Sequence, residues 1–88
     1  MDKTKKFREL ANSLADLYER KNADYGDSFG KTFADLGIIS AVTRISDKYN
    51  RICQLAKSGE QRVKDEAIED TLKDLASYCI MTLIELGK

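Results

Sequence analysis

Three groups of residues carry the side chains from which binding or chemistry could be built. In the first, Lys21-Asn22-Ala23-Asp24-Tyr25-Gly26-Asp27-Ser28-Phe29-Gly30 brings charge, amide, hydroxyl, aromatic ring and glycine into one short stretch. This mixture suits a nucleotide: a ring stacks on a base, Asn22 or Asp24 hydrogen-bonds its edge, and Ser28 with backbone N–H groups near glycine approaches a phosphate. In the second, Arg44, Asp47, Lys48 and Arg51 are spaced to share one face of a helix, three cations with one carboxylate. In the third, Glu66, Asp70 and Asp74 recur every four residues as an acidic stripe, with Ser77 on the same side. Carboxylate oxygens on a helix suit a hard cation such as Mg²⁺, and arginine or lysine meets phosphate oxygens directly. The plainer account is that these are solvated faces held by i,i+4 pairs, and that Tyr25, Phe29 and Phe33 plug a core.

The elements that must position these groups are helices. From Thr4 to about Lys21, Phe7, Leu10, Ala11, Leu14, Leu17 and Tyr18 step by threes and fours, which predicts a first helix. Periodicity breaks between Asn22 and Gly37, where aspartate, serine and glycine favour turns, so a structured loop is expected, with a short helical turn over Lys31 to Leu36. The series Ile38, Val42, Ile45, Tyr49, Ile52 and Ala56 predicts a second helix, stopped by Ser58-Gly59. A third follows Asp65, read as its N-cap, along Ile68, Leu72, Leu75, Cys79, Leu83 and Leu86 to Gly87. The short turn from Ser58 to about Lys64 makes the second and third helices an antiparallel hairpin. The expected fold is therefore all-α, three main helices in one domain spanning residues 1–88. Cys79 to Ile84 is apolar nearly all round, so Ile80, Met81 and Ile84, opposite the third stripe, are expected to pack on another subunit of a homo-oligomer.

Composition excludes several function classes. Lys and Arg number 15, as do Asp and Glu, so the basic excess of a duplex-DNA or anionic-membrane binder is missing. No apolar run is long enough for a membrane span and the first residues lack a signal peptide's apolar stretch, which predicts a cytoplasmic protein. There is no histidine, and Cys53 and Cys79 stand alone in faces that read as buried. Zinc and a Ser-His or Cys-His nucleophile are thereby disfavoured. Neither a GxxxxGK[ST] loop nor a GxGxxG turn is present.

Three blocks, Lys21 to Phe29, Val42-Thr43-Arg44-Ile45-Ser46-Asp47-Lys48-Tyr49-Asn50-Arg51 and Asp65 to Tyr78, occur in an order that resembles the phage and bacterial family called nucleotide modification associated domain 1, over roughly Lys21 to Leu86. That resemblance implies a role in nucleotide metabolism. At the level of fold, the helical pattern is also similar to the all-α NTP pyrophosphohydrolases of the MazG kind. In those enzymes an ExxE on one helix and an ExxD on the next hold Mg²⁺; here the second helix offers Arg44-x-x-Asp47, and Glu66 and Glu69 form an ExxE with no ExxD following at the proper distance. Two functions compete. In the first, the protein binds a nucleotide or cyclic nucleotide without cleaving it, with Arg44, Lys48 and Arg51 on phosphates, and Tyr25 and Asn22 at the base; in a phage it would sequester a host defence signal. In the second, Asp47, Glu66, Asp70 and Asp74 form a magnesium site for a nucleoside triphosphate pyrophosphohydrolase, with Glu66 or Asp70 orienting water. The incomplete acid pattern favours binding without cleavage. An adaptor without a small ligand is the third possibility.

Overall fold

The computed structural model describes residues 2–57 and 61–87. The chain is all-α, with four helices where three main ones were expected: α1 Lys3–Tyr25, α2 Ser28–Leu36, α3 Ile38–Lys57 and α4 Gln61–Glu85.

Helix α1 begins where the Asp2 carboxylate accepts the Lys5 N–H at 3.1 Å, satisfying one of the donors a helix N-terminus leaves unpaired. It continues past Lys21 through Asn22, Ala23 and Asp24, so these residues belong to a helix and not to the expected loop. Gly26 stops it: at φ 59 it takes the left-handed conformation, and its N–H donates to the Asn22 carbonyl. Asp27 follows at φ 57, a conformation its short polar side chain tolerates better than most. The two consecutive left-handed residues turn the chain into α2 at once. A Cβ on buried Gly30 would fall 2.6 Å from Asp27 Oδ2, so the absence of a side chain there lets the carboxylate sit over the first turn of α2, beside the positive end of its dipole.

Gly37, at φ 76 and ψ −164, lies in a region open essentially to glycine alone and redirects the chain into α3. Its carbonyl accepts both the Ser40 N–H at 3.1 Å and the Ser40 hydroxyl at 2.8 Å, which fastens the first turn of α3. The expected Ser58-Gly59 stop lies outside the described residues. Helix α4 is already formed at Gln61, so Asp65 lies within it and is not its N-cap. No glycine or proline interrupts the stretch from Gln61 to Asp65, and its residues are mostly good helix formers.

Helices α3 and α4 make the most extensive packing in the chain, as the expected hairpin, and α2 and α1 lie against it. The more buried residues of α3 recur at Ala41, Ile45, Lys48, Ile52 and Leu55, and those of α4 at Thr71, Leu75, Tyr78, Thr82 and Glu85. Both series step by fours and threes, the spacing of a helix–helix seam. Small residues carry the closest packing: Ala41 is fully buried, and Thr71 and Thr82 are nearly so. Their hydroxyls donate to the Ala67 and Tyr78 carbonyls one turn back, so neither is left unsatisfied.

This seam corrects the expected stripes. Ile38, Val42 and Tyr49 on α3, and Leu72, Cys79 and Leu83 on α4, are all exposed. Cys53 is half-buried, so neither cysteine is a core residue. Lys48, read as turned away from the apolar stripe, lies in the seam. Among the described residues no helix is long and apolar enough to cross a membrane.

Candidate functional site

The last turns of α1 meet the middle of the α3–α4 hairpin around a cavity of about 500 Å³. Helix α1 contributes Leu17, Tyr18, Lys21, Asn22 and Tyr25, and α4 contributes Lys73, Asp74, Ser77, Tyr78 and Met81. Both sets have the spacing i, i+1, i+4, i+5, i+8, which confines five side chains to one arc of a helix. Between them, α3 supplies Arg44 and Lys48, one turn apart, and the start of α2 supplies Ser28 and Phe29. The early end of α1 at Gly26 is what makes this enclosure: the chain reverses there, placing Ser28 and Phe29 back against the hairpin. Phe29 stacks on Tyr78 with ring centroids 5.9 Å apart and planes 24° from parallel, tying α2 to α4 at the cavity wall.

Charge in the cavity is unlike that of the whole chain. Lys21, Arg44, Lys48 and Lys73 face a single carboxylate, Asp74. Lys48 Nζ lies 3.2 Å from Asp74 Oδ2, an ion pair across the α3–α4 seam with both side chains partly solvated. Lys73 pairs with Glu69 along α4 at 3.1 Å, on the outer surface. Among the described residues, Lys21 and Arg44 have no ion pair, so two cations meet the cavity without a carboxylate to neutralise them. An anion entering here encounters a net positive field bounded by apolar walls, the setting in which charge-assisted hydrogen bonds are strongest.

Of the residues expected to bind a ligand, Lys21, Asn22, Tyr25, Ser28, Arg44 and Lys48 line this cavity. Asp24, Asp47 and Arg51 do not; all three are exposed, and Arg51 shares the arc of Arg44 but lies two turns further along α3. The carboxylates expected to hold Mg²⁺ separate. Asp74 reaches the cavity but is paired with Lys48, while Asp70 and Glu66 lie one and two turns toward the α4 N-terminus, off the lining. Among the described residues no three His, Cys, Asp or Glu side chains gather as a metal site.

Tyr18, Lys73, Tyr78 and Met81 were not expected in a site. Tyr18 reads as part of the apolar face of α1, and no role is expected for Lys73. Met81, expected at an intersubunit contact, lines the cavity. Their common signal is the repeated five-residue arc, which becomes meaningful only when α1 and α4 are known to face each other. Away from the cavity, the Tyr49 pKa is raised above its ordinary value, chiefly by its hydrogen bond to Cys53 one turn on and by the electrostatic interaction with the same residue.

No curated protein and no solved structure matches this chain. A family model does, over residues 21–86, and the match begins at Lys21, the first cation of the cavity, and includes every polar side chain that lines it except the Tyr18 hydroxyl. With three quarters of its length covered, the chain belongs to the nucleotide modification associated domain 1 family.

Proposed function

We propose that the protein binds a nucleotide-type small molecule in the cavity between α1 and the α3–α4 hairpin, without cleaving it. The observation that carries this reading is the convergence of Lys21 and Arg44, neither ion-paired among the described residues, with the rings of Tyr18, Tyr25 and Tyr78 on one cavity of about 500 Å³. That volume lies within the range of small-molecule sites. Arg44 and Lys21 hold the phosphate oxygens. Tyr25, two-thirds exposed at the mouth, stacks on the base, and Asn22 hydrogen-bonds its edge. Ser28 and Ser77 supply hydroxyls for phosphate or sugar.

Recognition is the whole activity in this reading. Around the cavity, hydroxyls, cations and rings are present, but no imidazole stands beside a serine, and one ion-paired carboxylate is a poor general base. A protein whose activity ends at binding withdraws its ligand from solution, so the proposal extends to sequestration of a nucleotide signal, linear or cyclic. The test is calorimetric titration with mono-, di-, tri- and cyclic nucleotides, with and without Mg²⁺. Saturable binding without Mg²⁺, lost in an Arg44→Ala, Lys21→Ala protein that keeps its helical circular dichroism, supports the proposal. Affinity unchanged by that double substitution places the ligand elsewhere.

A further inference from the structure

The chain by itself buries too little surface. Its accessible area is 6780 Å², whereas a folded monomer of 9.9 kDa is expected to expose only about 5,200 Å². Its radius of gyration is 14.5 Å, against about 12 Å for a compact chain of this length. Ala41 is the sole buried hydrophobic residue among those described, and no large side chain among them is fully buried.

Much of the uncovered apolar surface gathers on one face. On α3, Lys48 reaches Asp74 from within the seam and Arg44 lies on its cavity side, while Ile38, Val42 and Tyr49 rotate to the other side. On α4, Asp74, Ser77 and Met81 lie to one side of its seam, and Leu72, Cys79 and Leu83, with Leu86 just past its end, to the other. Because α3 and α4 run antiparallel and both cavity sides point the same way, both exposed stripes point the opposite way. The hairpin therefore has one face toward α1 and the cavity and a second, apolar face whose large side chains the described residues leave about half exposed. Along α4, no charged residue falls in this stripe from Leu72 to Leu86.

We infer that a second copy of this chain covers that face, hairpin against hairpin, completing a four-helix core. The area fits. If each chain sheds its excess of about 1,600 Å², the pair buries about 3,200 Å², within the range of obligate homodimers and above that of transient contacts. An uncharged apolar stripe is complementary to itself, as a two-fold interface requires, and antiparallel hairpins pack into bundles by the same seam spacing they already use internally. The dimer lies behind the cavity, so it stands whatever ligand the cavity takes. It also moves the expected subunit contact from Ile80, Met81 and Ile84 to the other side of α4.

Light scattering on the full chain after size exclusion, together with thiol labelling mapped by peptide mass, tests this. The wild type is expected at twice the chain mass, with Cys79 protected at micromolar concentration and reactive on dilution. Leu83→Glu and Val42→Glu each halve the mass and expose Cys79, while Ile80→Glu leaves both unchanged. If the glutamate variants fail to fold, as circular dichroism would show, the wild-type mass and Cys79 protection decide alone. A wild type at single-chain mass with Cys79 freely reactive overturns the inference. So does an oligomer that survives Leu83→Glu and Val42→Glu but dissociates with Ile80→Glu. A single-chain species that floats with phosphatidylglycerol vesicles also overturns it and gives the face to a lipid surface.

Discussion

Asp74→Asn separates the two ways of using the cavity because they give it opposite signs. Among the described residues Asp74 is the only carboxylate on the lining, 3.2 Å from Lys48. At an effective dielectric near 20, two unit charges at that distance attract by about 5 kcal/mol gross. Both side chains are partly solvated, and desolvation and side-chain ordering reduce the net value of such a pair to about 0.5–1 kcal/mol. The isosteric amide should therefore lower the melting temperature by only about 2–8 °C for a chain of this size. Its effect on binding is larger. A phosphate charge about 6 Å from the carboxylate is repelled by roughly 0.7 to 2.8 kcal/mol between the water-like and protein-like dielectric limits. Removing that repulsion, and freeing Lys48 to face the ligand, tightens nucleotide binding by roughly 3- to 100-fold. Calorimetric titration of wild type and variant without Mg²⁺ measures it. If Asp74 instead held a metal that carried the phosphates, Asp74→Asn would weaken binding, and a loss of affinity in the folded variant refutes the reasoning.

Arg44→Ala removes a charge-assisted contact to phosphate and should weaken binding by about 1.5–3 kcal/mol, roughly 10- to 150-fold, whereas Arg51→Ala, one helical turn beyond Lys48 and off the lining, should leave titration curves unchanged. Gly37→Ala meets no neighbouring atom yet should destabilise the fold by about 1–3 kcal/mol in urea denaturation, because φ 76 with ψ −164 is strained for any side chain. The raised Tyr49 pKa means that the native state favours the neutral phenol; this contribution is complete below the ordinary value of 10.0 and is lost as pH rises through the native value. Cys53→Ala, which removes both the hydrogen bond and the electrostatic interaction, should bring the tyrosinate absorbance titration of Tyr49 back toward 10.0.

Periodicity made the α3–α4 hairpin legible, but it reports that a face is apolar and not what covers it. Leu72, Cys79 and Leu83 keep faultless helical spacing and still point outward, because Ala41, Thr71 and Thr82 are small enough to let the two helices approach on the neighbouring arc. Threonine at a seam is easily passed over, since its hydroxyl is satisfied within its own helix. Local composition misled at Asn22 to Gly30, whereas the helical turn expected over Lys31 to Leu36 is the later part of α2. The aspartates, serine and glycines of the first stretch do mark turns, but the turn is confined to Gly26 and Asp27, and the flanking residues extend α1 and build α2. The polar half of the cavity was legible because Lys21, Asn22, Tyr25 and Ser28 cluster in sequence and Arg44 and Lys48 lie one turn apart. Tyr18, Lys73, Tyr78 and Met81 join them only through tertiary packing. The acidic stripe was real as a helix face, yet only Asp74 lies far enough along α4 to reach the cavity.

The most direct test of nucleotide binding without cleavage is mass spectrometry on one set of mixtures, the protein with linear and cyclic nucleotides and Mg²⁺, sprayed first under native and then under denaturing conditions. The account predicts a native adduct that is lost in the Arg44→Ala, Lys21→Ala protein and a nucleotide recovered chemically intact after denaturation. A nucleotide recovered as monophosphate and pyrophosphate would contradict it.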